Sequence, residues 1–86
     1  MRITRQTVAK KIGAHLQRRL PLDELVDWAE DALMEGEFVE KDAEILAQVV
    51  GRLGVADVRT FGLTWEDCDR LLRQLGYAAR VEVVPT

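Results

Sequence analysis

Serine and asparagine are absent from this 86-residue chain. The first absence removes serine nucleophiles and the second removes N-glycosylation. The single cysteine, Cys68, can form no internal disulfide and no multi-cysteine zinc site. No apolar run approaches the roughly 18 residues of a membrane span. The opening stretch Met1–Thr7 lacks the hydrophobic core of a signal peptide, so the expected location is cytoplasmic. No glycine-rich phosphate loop, paired metal-ligand motif or nucleophile–base constellation is present. No cofactor, metal or small-molecule substrate is therefore expected, and the chain reads as non-enzymatic.

What is present is charge sorted by position. Residues 1–22 carry six Arg or Lys and no acid. Residues 23–44 carry ten Asp or Glu and one base, Lys41. The formal net charge of −3 thus conceals a strongly basic block beside a strongly acidic one. Blocks of like charge repel unless the chain itself or a partner neutralises them. An apolar share of 48% with 31% charged residues is that of a globular chain rather than a disordered one.

Apolar periodicity predicts four helices. The first runs from Arg5 to about Arg19, capped by Thr4, with Ile3 and Val8 as a hydrophobic staple. Val8, Ile12, Leu16 and Leu20 form its stripe. Pro21 suits the first position of a second helix, Leu22 to Glu35, closed by Gly36 in the left-handed region. Leu22, Leu25, Val26, Ala29, Ala32 and Leu33 cover one side of it, with Trp28 at the edge. A third helix begins near Phe38 or Glu40 and ends at Leu53. The fourth is capped by Thr64, with Asp67 completing a capping box, and is closed by Gly76. Trp65, Cys68, Leu71, Leu72 and Leu75 share its inner face. Glu66–Arg70 and Asp69–Arg73 are ion pairs in the favourable order.

The expected fold is therefore all-α: one domain over residues 1–86, a compact four-helix bundle. Arg80–Val84 alternates charge with valine and reads as a strand, which adds a short two-stranded element near the C-terminus. If Val55–Phe61 were its partner, the fourth helix would be the crossover of a small βαβ unit.

The leading candidate site is the acidic ridge of the second helix. Asp23, Asp27, Asp31 and Glu35 succeed one another at i,i+4, a spacing that costs a few tenths of a kcal/mol per like-charged pair. Asp31 and Glu35 also oppose the negative end of the helix dipole. The plain structural account is that the first helix packs antiparallel to the second and that Lys11, Arg18 and Arg19 neutralise part of the ridge. The functional account is an exposed surface for a basic partner. Asp27, Asp31, Glu35 and Glu37 would be its electrostatic contacts and Trp28 its anchor; with Met34 on the far side and Phe38 beyond the turn, the junction of the second and third helices would expose apolar surface.

Other features weigh less. Asp31, Glu35, Gly36, Glu37 and Asp42 fall at EF-hand loop positions, but Leu33 stands where a ligand is required. His15 lacks an orienting partner, and Cys68 sits among Glu66, Asp67 and Asp69, which disfavour a thiolate. Carboxylates in the first turn of the fourth helix oppose its use as a DNA recognition helix.

The function expected is thus a small acidic protein-interaction module that binds a basic protein partner through its second helix. The alternatives are a nucleic-acid-associated, helix-turn-helix-like domain and a self-associating structural protein. In size, acidity and helix count the chain looks like small bacterial immunity proteins and antitoxins, which neutralise basic nuclease-type toxins. That likeness is one of shape and charge, and it assigns no residue a role.

Overall fold

The computed structural model describes residues 1–80 and 83–85. Its elements are β1 (Arg2–Ile3), α1 (Arg5–Leu16), α2 (Leu22–Glu35), β2 (Glu37–Phe38), a 3₁₀ turn (Glu40–Asp42), α3 (Ala43–Gly54) and α4 (Trp65–Gln74). None of these helices is long and apolar enough to cross a membrane.

Thr4 caps α1 as its hydroxyl chemistry dictates, accepting from the Thr7 N–H at 3.1 Å. Thr7 returns the bond, its hydroxyl accepting from the Thr4 N–H at 3.2 Å. A second threonine thus does what Glu or Gln usually does in a capping box. The helix ends three residues earlier than its stripe predicts. Arg18 adopts φ 61°, a left-handed conformation that stops the helix. The Arg19 N–H then donates back to the Ala14 carbonyl at 2.9 Å. His15 seals this end, its Nδ1–H donating to the Leu20 carbonyl at 2.9 Å. That bond makes Nδ1 the protonated nitrogen, since a carbonyl only accepts.

The bounds of α2 are those the sequence predicts, but both flanking residues act differently. Pro21 is the N-cap, in extended geometry, rather than the first helical residue. Gly36 is also extended, at φ −77°, not left-handed. Glycine is needed there for space. A Cβ would run into the Ala32 carbonyl and lie 2.9 Å from Cγ1 of Ile3. The chain passes that close because β2 pairs in parallel with β1, Arg2 opposite Glu37 and Ile3 opposite Phe38.

This pair corrects the expected β element. The two-stranded sheet joins the N-terminus to the segment after α2, not to the C-terminus. Of the predicted Arg80–Val84 strand, Val81 and Glu82 lie outside the described residues, and Arg80, Val83 and Val84 belong to no strand. Val55–Phe61 forms turns, so α4 is not a βαβ crossover. The mostly helical, compact architecture stands.

The core draws on every helix: Val8 and Ile12 of α1, Leu25 and Ala29 of α2, Leu46, Val49 and Leu53 of α3, Cys68, Leu71 and Leu72 of α4. Ile3 is fully buried with them, so the staple partners Ile3 and Val8 both reach the core. The most extensive helix pairing is α2 against α3. At roughly 25 cal/mol per Å² of apolar area removed from water, these aliphatic side chains supply the main stabilising term. Two assignments to the inner faces fail. Leu33 remains 45% exposed and Trp65 42% exposed.

Candidate functional site

Helical geometry places Asp27, Glu30, Asp31, Met34 and Glu35 within one turn-to-turn sector of α2, opposite Leu25, Ala29 and Ala32. The buried side is fixed by α3 and the core, so the opposite sector must face outward. Asp27, Asp31 and Glu35 are exposed, as is Glu37 at the start of β2. Met34, in the middle of the carboxylates, is 81% exposed. Trp28 is half-buried at the edge of the core.

The question posed by the sequence was whether α1 neutralises this ridge. It does not do so by ion pairing. Among the described residues the ion pairs are Arg5–Asp42, Arg52–Asp67, Arg70–Asp67 and Arg73–Asp69. None involves a carboxylate of α2. The one bridge between the basic and acidic blocks, Arg5 Nε to Asp42 Oδ2 at 3.4 Å, ties α1 to the 3₁₀ turn instead. Lys11, expected as counter-charge, lies over the Trp28 ring at 5.5 Å from its centroid. That cation–π contact holds the indole at the flank of the ridge rather than cancelling a carboxylate.

Local electrostatics differ along α2. At its N-terminus, Asp23 Oδ1 accepts from the Glu24 N–H at 3.0 Å, and the helix dipole favours both acids. Beyond it, Asp31 and Glu35 near the C-terminal end have neither a cation within 4.0 Å among the described residues nor a favourable dipole. An array of carboxylates is acceptor-only. It can take hydrogen bonds from guanidinium and ammonium donors, bidentate ones from Arg included.

Three of the predicted acids lie together on α2, and Glu37 lies apart from them in β2, opposite Arg2. Asp27, Asp31 and Glu35 share the outer sector, Trp28 lies at its border, and Glu37 follows in β2 past Gly36. The EF-hand alignment fails, because Asp31 and Glu35 are helical and Glu37 lies in a strand.

A second charged cluster, built around Asp67, had only its cap legible in sequence. Asp67 Oδ2 accepts from the Thr64 N–H at 3.0 Å, and the Thr64 hydroxyl accepts from the Asp67 N–H at 3.1 Å. Arg70 Nη2 donates to Asp67 Oδ1 at 2.7 Å, which displaces the expected Glu66–Arg70 pair. Arg73 Nε does pair with Asp69 as predicted, at 2.9 Å. The Thr64 bonds, followed by Arg52 and Arg70, hold the Asp67 carboxyl below the usual carboxylate range. Burial, with Asp67 adding to it, pushes the neighbouring Cys68 thiol up to about 11. A buried thiol in that setting is a packing residue, not a nucleophile.

Comparison of the chain with protein-family models, with curated proteins and with solved structures finds no match.

Proposed function

We propose that the chain is a non-enzymatic protein-interaction module whose α2 face binds a basic protein partner. The observation that carries this reading is the absence of any ion pair to the α2 carboxylates among the described residues, with Lys11 engaged on Trp28 instead. The fold thus retains a row of acids with no ion-pair partner among the described residues, and their mutual repulsion costs helix stability. Binding by a cationic surface relieves that repulsion. Such complementarity acts mainly on association rate and on choice of partner. Asp27, Asp31, Glu35 and Glu37 supply the acceptors, and Trp28 supplies an aromatic anchor at their edge.

The test compares the wild-type chain with Asp27→Lys/Asp31→Lys/Glu35→Lys as bait in a lysate of the source organism, read by quantitative mass spectrometry. The expected result is a protein with net positive charge enriched by the wild type and lost from a variant that keeps its helical circular dichroism. Equal recovery of that protein by both baits refutes the reading. The three lysines repel one another at the same i,i+4 spacing but suit the negative C-terminal end of the helix dipole, so a folded variant should be about as stable as the wild type. Loss of folding would instead show that the ridge is internal glue.

A further inference from the structure

A groove of about 850 Å³ runs between α1, the first turn of α4 and residues 77–80. Trp65 and Tyr77 line it, 42% and 44% exposed, over a floor that includes Leu16 and Leu72. Its lining carries Lys10, Arg18 and Arg80, and no carboxylate lines it among the described residues. None of these cations has an acid within 4.0 Å among the described residues. One wall contains Gly13, in the middle of α1, where a Cβ would meet nothing within 4 Å. Mid-helix glycine costs about 1 kcal/mol relative to alanine, and packing within this chain does not require it.

We infer that this groove receives the α2 face of a second copy of the chain, in a head-to-tail contact. The inference rests on the exposed α2 face described above and adds a second user of it. Charge complementarity selects the occupant: Asp27, Asp31 and Glu35 meet Lys10 and Arg18. Met34 provides the apolar anchor, since a thioether packs favourably against aromatic rings such as Trp65 and Tyr77. Dimensions agree. The α1 wall from Gln6 to Gln17 is about 16 Å long and the acidic strip from Asp27 to Glu35 about 12 Å, at 1.5 Å per helical residue. Gly13 and Ala9 leave α1 with the low profile that lets another helix approach closely. Because the two surfaces differ, the contact is heterologous and extends from copy to copy rather than closing as a two-fold dimer. A basic partner seated on α2 excludes it.

Sedimentation velocity and light scattering at low and high salt test this. The wild type should gain mass with concentration at low salt and revert to a single chain at high salt. Gly13→Leu, which fills the groove from a position the fold leaves open, should stay a single chain, as should Met34→Lys. An equimolar mixture of the two variants should form a one-to-one dimer, because each retains one intact surface. Lys10→Glu/Arg18→Glu serves as the groove variant if Gly13→Leu does not fold. A wild type that remains a single chain at every concentration overturns the inference, as does undiminished association of the groove variant. So does binding of single-stranded DNA by a chain that never self-associates, read as tryptophan quenching in its Trp28→Phe variant, whose remaining tryptophan is Trp65. Gly13→Leu leaves α2 intact. Self-association absent from the wild type, with capture of a basic protein retained, refutes this contact alone. Self-association present with no basic protein captured refutes only the proposed function.

Discussion

Arg52, in the last turns of α3, reaches across to Asp67 in the first turn of α4, with Nη2 3.4 Å from Oδ2. The same nitrogen donates to the Gly62 carbonyl at 3.0 Å. The guanidinium also lies 5.6 Å from the centroid of the Phe61 ring. One side chain therefore fastens the turns after α3 to the cap of α4. Arg52→Met keeps the aliphatic stem and removes these bonds. It should lower unfolding free energy by about 1–2 kcal/mol, at the modest end for charged hydrogen bonds because the pair is partly exposed. Urea denaturation checks this, and an unchanged midpoint would show that the clamp is unimportant.

Acid should loosen α4 first. Asp67 is held below its ordinary value by the Thr64 bonds above all, and Asp69 by its bond from Arg73 and then by the Ala79 N–H. A carboxyl whose folded pKa is depressed stabilises the fold above the unfolded value, about 3.9 for Asp, and that contribution is lost as pH falls through the folded value. Stability should thus be flat near neutrality and fall below about pH 4. Asp67→Asn/Asp69→Asn should flatten that acid limb while lowering stability at pH 7. Urea midpoints from pH 7 to pH 2.5 read both effects, and an acid limb as steep as the wild type's would exclude these two groups as its source.

Two glycines should respond oppositely to alanine. Gly13→Ala adds a methyl group in open space within α1 and should stabilise by about 0.5–1 kcal/mol. Gly36→Ala drives a Cβ toward the Ala32 carbonyl and Ile3 Cγ1, and should destabilise by roughly 1–3 kcal/mol as overpacking does. Thermal unfolding midpoints should therefore move up for the first and down for the second. Movement in the same direction would contradict the packing of β1 over the end of α2.

Cys68 should be nearly inert in the folded protein. With the thiol raised to about 11 and the residue 1% exposed, its reaction with a chromogenic disulfide at pH 8 is slow twice over. Thiolate fraction alone, for a rise from 9.0 to about 11, accounts for about a 100-fold deficit against a free cysteine at that pH, and burial adds to it. Addition of denaturant should release the full rate. Rapid labelling of the native chain would show that α4 opens readily.

The local half of this structure was readable from residue order. The apolar repeats of α2 and α4 and the threonines at positions 4 and 64 act within three or four residues, and α1, α2 and α4 start where those signals place them; α3 starts only at Ala43, because Phe38 is drawn into β2 and Glu40 into the 3₁₀ turn. The acids of α2 were likewise legible as one face, because a 3.6-residue period assigns them to it whatever surrounds the helix. Some local signals were silent. Arg18 ends α1 in a conformation that the residue type does not advertise, and two-residue strands are too short to carry any period.

Sequence by itself therefore determined that the chain forms four helices, the threonine caps of α1 and α4, most of the buried stripes and the sorting of charge along the chain. Tertiary structure decided which charges meet. Lys11 rests on Trp28, Arg5 meets Asp42 and Arg52 meets Asp67, pairings across 17, 37 and 15 residues. An ion pair needs its atoms within a few ångströms, and that distance depends on how helices cross rather than on how residues follow one another. The same reason left the α2 carboxylates uncovered and Trp65 at the lip of a groove. Composition sets how much charge and apolar surface a chain carries, but only packing decides what is left facing outward.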